Sequence, residues 1–352
     1  MSAAAQTDCF IAPNDLPRAF PAPPGRGRIK QTPEDFQVDE VLGFEPDGEG
    51  GHAWLRIRKR GANTRWVAGR LARLAGVRER DVGYAGLKDR AALTSQWFSV
   101  PMDGRDEPDW GALERDDVEV LEVTRSRRKL RRGVQAGNRF RILVRDFEGD
   151  SEAIERRAET IAGSGVPNYF GAQRFGRDAG NIEKAADMLA GGRRVRDRAL
   201  RGIYLSAVRA MLFNRVLARR VEEASWQHAL PGEALMLDGS HSVFVAVEPD
   251  ADIAERLARL DVHPTGPLWG SGERLAIGEA LALERSALEP CTRWCEGLAD
   301  AGLAAARRAL RVPVADLRVA TEAAGTLEVA FSLPAGAYAT MVLRELVETA
   351  WL

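Results

Sequence analysis

Cysteine is nearly absent from this sequence: Cys9, Cys291 and Cys295 are all there is in 352 residues. No CxxC pair occurs, so neither a disulfide framework nor a zinc ribbon is expected. Cys291 and Cys295 lie one helical turn apart and read as packing groups. A reducing, cytoplasmic setting follows. Histidine is almost as scarce. His52, His228, His241 and His263 show no HExxH or paired spacing, so no metal site is expected. No run approaches the roughly 18 apolar residues of a membrane span, and the first residues, MSAAAQTDCF, lack the pattern of a secretory leader. Gly48, Gly50 and Gly51 form neither a Walker loop nor a GxGxxG turn, and the nucleophile elbow GxSxG is missing. Lysine is the last scarcity, with 5 Lys against 45 Arg.

Net charge is close to absent as well, at −1. That balance hides a strong segregation. From Gly51 to Arg78 there are eight basic residues and no acid. From Leu121 to Arg145 nine basic residues face the single acid Glu122, whereas Val221 to Ala304 holds fifteen acids and five bases. Segregated charge suits one anion-binding face, and the planar fork of Arg grips phosphate. A nucleic-acid partner is the expectation. A length of 352 residues allows two domains.

Along the chain, the five prolines of residues 1–27 read as an extended or partly mobile arm. Strand-like alternation follows at Phe36–Asp39, Trp54–Arg58, Val82–Ala85, Gln96–Val100, Val118–Val123 and Phe140–Val144. Asn63 or Thr64 can cap a helix carrying Trp66, Val67, Leu71 and Leu74. Arg125–Arg132 reads as a basic hairpin or loop. From about residue 150 the apolar period becomes helical, over Asp150–Ala162, Ala179–Ala190, Leu205–Glu223, Ala251–Leu260, Glu273–Leu283 and Glu296–Leu310. Ser242–Val247 interrupts as a strand, and His263–Pro267 reads as a rigid loop. Strands return at Asp316–Ala320 and Thr326–Leu333, and Tyr338–Thr349 closes as a helix. Strands, a helix-rich middle, then strands predict an α+β sheet domain interrupted by an insertion.

The most informative stretch is Gly83 to Gln96. A strand runs into a glycine-containing turn that presents Asp89 between Lys88 and Arg90. Those cations would hold Asp89 ionised and could bind phosphate beside it. In isolation the tripeptide reads as readily as a solvated turn. Gly137-Asn138-Arg139-Phe140 opens a strand with an amide that can pair with a base edge and a ring that can stack. Pro167 to Gly176 is rich in aromatic, amide and glycine residues. It suits RNA contact or a domain hinge.

Six stretches together resemble the tRNA pseudouridine synthase D family: Pro33 to Val38, Gly86 to Arg90, Gly137 to Phe140, Pro167 to Gly176, Ser206 to Asn214 and Pro334 to Thr340. Their order and spacing agree from about residue 28 to 350. The resemblance implies an α+β fold, with a mixed or antiparallel pseudouridine synthase sheet domain and an inserted, helix-rich α/β domain. The expected boundaries are an arm over 1–27, the catalytic domain over 28–165 and 313–352, and the insertion over 166–312. It implies Asp89 as the catalytic carboxylate, with Lys88 in the same motif. Phe36, Asn138 and Tyr338 are implied to contact the substrate uridine, and Phe140 to stack on its base. Tyr338 stands where the family often has Phe. Arg127, Arg128, Lys129, Arg131 and Arg132 are expected on the RNA backbone. The implied partner is tRNA, with the uridine at position 13 as target, no membrane and no metal, and a monomer as the working form.

The reaction so implied breaks the C1′–N1 bond of a flipped-out uridine, turns the uracil and rejoins it through C5. It is an isomerisation and needs no cofactor. Attack of the carboxylate on C1′ and removal of the C2′ proton both remain open. Two rivals stand beside it. One is an RNA binder with an idle site. The other is a glycosidase or nucleoside hydrolase, which needs a second carboxylate, with Glu34, Asp35 and Glu40 as candidates.

Overall fold

Alternating apolar residues near both ends of the chain build one sheet, and the stretch between them joins short segments from both ends in a second compact unit. The protein is seen here in a computed structural model that describes residues 9–114, 117–322 and 325–350. The first run of elements is β1 (Gly25–Arg28), β2 (Phe36–Val41), β3 (His52–Arg60), α1 (Thr64–Leu74), β4 (Gly83–Tyr84), β5 (Leu93–Pro101), β6 (Val118–Ser126) and β7 (Gly137–Gly149). The middle run is α2 (Ser151–Ser164), β8 (Val166–Pro167), α3 (Gly180–Leu189), α4 (Arg198–Glu222), β9 (Glu233–Leu237), β10 (Val243–Ala246), α5 (Ala251–Ala258), β11 (Val262–Leu268), α6 (Gly278–Leu288), α7 (Thr292–Asp300), β12 (Ala306–Ala309) and β13 (Arg311–Val312). Last come β14 (Ala315–Glu322), β15 (Thr326–Pro334), α8 (Ala339–Leu346) and β16 (Glu348–Ala350). The fold is α+β. No helix among the described residues is long and apolar enough to cross a membrane.

Two compact units result. The sheet unit comprises Pro23–Glu159, Val314–Gly336 and Leu346–Leu352; the helical unit comprises Thr160–Pro313, Ala337–Glu345 and the N-terminal segment up to Ala22. In the sheet unit ten strands form one sheet, with β14-β15-β7-β2-β5-β3-β6 side by side, β1 between β7 and β16, and β4 on β5. The pairs β2–β5 and β1–β16 are parallel and the rest antiparallel, so the sheet is mixed. α1 begins at Asn63, whose side chain accepts a hydrogen bond from Arg65 N at 3.2 Å, a cap contributing about 1 kcal/mol. Its Val67, Ala68 and Leu71 pack on Leu55, Ile57 and Phe98 in a closed core.

The helical unit is organised by α4, whose buried residues include Leu205, Val208, Met211, Leu212 and Phe213. A second sheet of order β10-β9-β11-β12 lies in the same unit. Two buried arginines join its parts: Arg220 pairs with Glu233 at 2.7 Å and Arg307 with Glu284 at 2.6 Å.

Several sequence expectations are corrected. His263–Pro267 is not a loop but lies within β11, which pairs with β9 and β12. Pro264 serves the sheet through its carbonyl, which accepts from Leu310 N at 2.8 Å. The helix expected over Glu296–Leu310 stops at Asp300, because Gly302 turns the chain with φ 76° and Arg307 is drawn into a strand by Glu284 and Thr265. The closing helix gives way to β16, which pairs with β1. Residues 1–8 of the expected arm lie outside the described residues. The part that follows does not stand apart: Leu16 is buried, and Phe20 N donates to Glu345 at 3.4 Å. Cys9 and Cys291 are joined as a disulfide, against the expectation of free thiols; 282 residues separate them and no local spacing announces the pair. Cys295 remains a buried free thiol.

Candidate active site

The turn that carries Asp89 is held by buried polar groups of the sheet unit. Gly86 O accepts from Gln96 Nε2 at 3.1 Å, and Lys88 N donates to Thr64 Oγ1 at 3.1 Å. Thr64 in turn donates to Gln96 Oε1 at 2.8 Å. Ala85 O accepts from Gly133 N at 2.8 Å, which ties the turn to the basic segment. Beneath it, Lys59 Nζ donates to Ala62 O at 2.7 Å and Asp89 O at 3.0 Å. A surface turn with this many buried anchors is ordered before any ligand arrives.

Lys88 does not flank Asp89 as a phosphate clamp. Its side chain is buried and pairs at 2.5 Å with Glu40, which also accepts from Trp97 N at 3.0 Å. Arg90 turns away, with Nε donating to Gly61 O at 3.3 Å. The cation that meets Asp89 is Lys30, whose ammonium bridges to Asp89 Oδ2 and lies 4.2 Å from the centre of the Phe36 ring. Lys30 has φ 57°, a left-handed backbone costing a non-glycine residue roughly 1 kcal/mol. The other carboxylate oxygen accepts from Ala91 N at 3.0 Å. Burial pushes the Asp89 carboxyl up, but Lys30, the Ala91 amide and Lys59 outweigh it. The net effect holds Asp89 below its ordinary value, so it is ionised at neutral pH.

Strand register places the other candidates on one face. Phe36, Val38 and Glu40 of β2 stand opposite Ile142, Phe140 and Asn138 of β7. Phe140 and Asn138 in turn face Phe331 and Leu333 of β15. Phe140 stacks on Phe331 with centroids 5.3 Å apart and meets Phe36 edge-on at 6.2 Å. Phe36 is buried, and Phe140 and Asn138 are half-buried. The Asn138 Oδ1 is buried without a hydrogen-bond partner, as is the Thr94 Oγ1. An acceptor left so costs about 1–3 kcal/mol, a cost that a ligand donor would remove.

Tyr338 belongs to the helical unit, where its ring meets Phe170 edge-on at 6.2 Å. Of the basic segment, Arg125 and Arg127 are ion-paired with Glu107 and Glu49. Arg128 and Arg131 are exposed. Lys129 Nζ donates to Arg80 O at 2.8 Å, and Arg132 lies over the Tyr84 ring at 5.3 Å. Lys129, Arg131 and Arg132 join Arg65 and Arg80 around a groove of about 770 Å³ that also includes Tyr84 and Glu79. Tyr84 ends β4, two residues before the turn that carries Asp89.

The alternative carboxylates are ion-paired, as Asp89 is, but with other partners. Glu34 pairs with Arg60, Asp35 with Arg145 and Glu40 with Lys88. Lys30 and Lys59 are the members that sequence reading missed. They lie 59 and 30 residues from Asp89, beyond any local motif. One signal was on hand. In a chain with 45 Arg, three of the 5 Lys are Lys30, Lys59 and Lys88, and all three converge on this turn.

The family model "tRNA pseudouridine synthase D (TruD)" matches residues 19–193 and 181–346. A Methylococcus capsulatus protein named tRNA pseudouridine synthase D is 54% identical over 335 residues, covering 95% of each chain. A Nitrosococcus oceani protein of the same name is 53% identical over 91% of this chain and 90% of its own. A solved Methanosarcina mazei structure bearing that name superposes with a TM-score of 0.71 at 20% identity, over 97% of each chain, and shares the fold. The chain is a member of the tRNA pseudouridine synthase D family.

Proposed function

We propose that this chain isomerises uridine to pseudouridine in tRNA, with Asp89 as the reacting carboxylate. The observation that carries the reading is one ionised carboxylate, held by Lys30 on a pinned turn, in the same unit as an aromatic row in which Phe140 is half-buried and an unpaired amide oxygen. Unstacking the uridine costs a few kcal/mol. Stacking on Phe140 offsets roughly 1–3 kcal/mol of this, and contacts to phosphates supply the rest. Asn138 Oδ1 can accept from the N3–H of the uracil, and Phe36 closes the edge of the row. In one route Asp89 attacks C1′ as the C1′–N1 bond breaks, and C5 of the turned uracil then displaces Asp89 from C1′. In the other Asp89 takes the C2′ proton as N1 leaves, C5 bonds to C1′ and the proton returns to C2′. In both, C5 loses its proton and N1 gains one. The sheet unit is the catalytic domain in this reading, with the helical unit as the insertion.

Incubating the protein with unmodified tRNA transcripts and no cofactor, followed by nucleoside analysis, tests it. Pseudouridine at one site, position 13 by the family resemblance, is expected. Intact tRNA without pseudouridine would sink the reading, and free uracil would favour a hydrolase. The protein is expected to act as a monomer in the cytoplasm; activity confined to a larger species on size exclusion would correct the first point.

Two side-chain predictions belong here. Replacing Phe140 with Ala is expected to lower the single-turnover rate about tenfold or more while tRNA affinity changes less, since one stacked base is a small share of a phosphate-dominated interface. Equal losses in both would mean that the ring only binds. Replacing Arg128, Arg131 and Arg132 together with Ala is expected to weaken tRNA binding and flatten its dependence on salt, with the log–log slope falling by about 2. An unchanged slope would remove this segment from the RNA face.

A further inference from the structure

We propose that Lys59 is a positioning residue: locked beneath the active-site turn, it fixes the main chain at Asp89 so that the carboxylate meets its substrate in one orientation. Three observations carry this. The first is geometric. Lys59 projects from the last turn-proximal stretch of β3, its side chain is fully buried, and its ammonium donates to Asp89 O at 3.0 Å and Ala62 O at 2.7 Å. It therefore joins the carbonyl of the reacting residue to the segment that follows β3. The second is energetic. Both hydrogen-bond partners are neutral carbonyls, and a buried ammonium so solvated is expensive compared with an apolar side chain of the same length. Burial and the neighbouring Lys88 push Lys59 down, with Asp89 opposing them, to about 8. A residue kept at such a cost is doing something that methionine would not do. The third is compositional. The chain uses Arg nine times as often as Lys, yet keeps the compact ammonium here. Three tetrahedral donors suit carbonyls that converge from two directions, whereas a planar guanidinium does not.

The surroundings explain how the effect is passed on. Lys59 stands directly opposite Thr94 across the β3–β5 pair, and the buried Thr94 Oγ1 has no hydrogen-bond partner. The charged groups facing Lys59 are Asp89 and Lys88, with Glu40 on Lys88 and Lys30 on Asp89. Lys30 sets the charge and direction of the carboxylate from outside, whereas Lys59 sets the position of the backbone that carries it. Misplacing a reacting group by about 1 Å can cost a hundredfold in rate, which is the size of effect expected.

The rate readout rests on the synthase reading above, so the test pairs it with one that does not. Wild type, Lys59→Met and Lys59→Gln are compared for single-turnover rate at saturating tRNA, tRNA Kd, thermal midpoint and amide hydrogen exchange. Lys59→Met is expected to slow the reaction about a hundredfold with Kd within threefold of wild type and no loss of thermal midpoint. The amides of Lys88 and Ala91, which donate to Thr64 and to the Asp89 carboxylate, are expected to lose protection while those of β3 and β5 keep theirs. Lys59→Gln retains an amide donor and is expected to recover part of both. A wild-type rate in Lys59→Met, or unchanged protection at Lys88 and Ala91, overturns the inference. So does a rate loss that parallels unfolding in both variants. If wild type itself makes no pseudouridine but Lys59→Met still frees those two amides, the synthase reading fails and the positioning role stands.

Discussion

Asp89→Asn is expected to abolish pseudouridine formation, by at least about a thousandfold in single-turnover rate, while tRNA Kd stays within about threefold of wild type. The amide is nearly isosteric, so it can still accept from Ala91 N; it gives up the charge that faces Lys30. Without a carboxylate there is neither a nucleophile for C1′ nor a base for the C2′ proton. Binding should survive because phosphate contacts dominate affinity for RNA and Asp89 makes none of them. A joint collapse of rate, affinity and thermal midpoint would instead make Asp89 a structural partner of Lys30. Its depressed pKa adds a pH test. The Lys30 contact contributes stability above the ordinary carboxylate range, and that contribution is lost as pH falls through the lowered folded value. The acid limb of the rate should therefore lie below the range usual for aspartate, and a limb near neutrality would contradict the assignment.

Lys88→Met is expected to give the largest loss of stability, about 3–5 kcal/mol, or roughly 10 °C in thermal midpoint. It leaves Glu40, whose side chain is wholly inaccessible, as an uncompensated charge beneath the sheet face. The double variant Lys88→Met/Glu40→Leu should regain most of that loss, because replacing both members of a buried pair is often close to neutral. The outcome separates two roles for the same residue. A phosphate-binding Lys88 would show itself as weakened, less salt-sensitive tRNA binding with little change in thermal midpoint. The buried pair with Glu40 predicts the reverse.

Local signals made much of this molecule legible. Asp89 stands out because a strand, a glycine turn and flanking charges are all within ten residues. The alternation of Phe140, Ile142 and Val144 marks β7 for the same reason. The parts that stayed hidden are those in which distant partners decide. β11 contains two prolines and reads as a loop, yet pairing with β9 and β12 makes it a strand. β12 continues a helical pattern, but Arg307 finds Glu284 and Thr265 in another part of the unit. Adjacency in sequence is not adjacency in space at Lys88 and Asp89: successive side chains in the turn leave in different directions, one down to Glu40 and one toward Lys30. Lys30 itself comes from the segment after β1, where only a scarce residue type betrays it.

The order of strands also governs when activity can first exist. β7, which carries Asn138 and Phe140, is bordered on one side by β15, and β1 takes its second neighbour from β16 at Glu348. Those partners are made some 190 residues after Phe140 and some 320 after Arg26. During synthesis at about 5–20 residues per second, the aromatic row lacks Phe331 for roughly ten seconds or more after Phe140 is joined to the chain. Closing such distant pairs is slow in entropic terms, so the sheet unit completes late. A ribosome-bound chain that ends before β14 lacks the strand that lies beside Phe140, so the sheet face is unfinished until the last part of the chain is made.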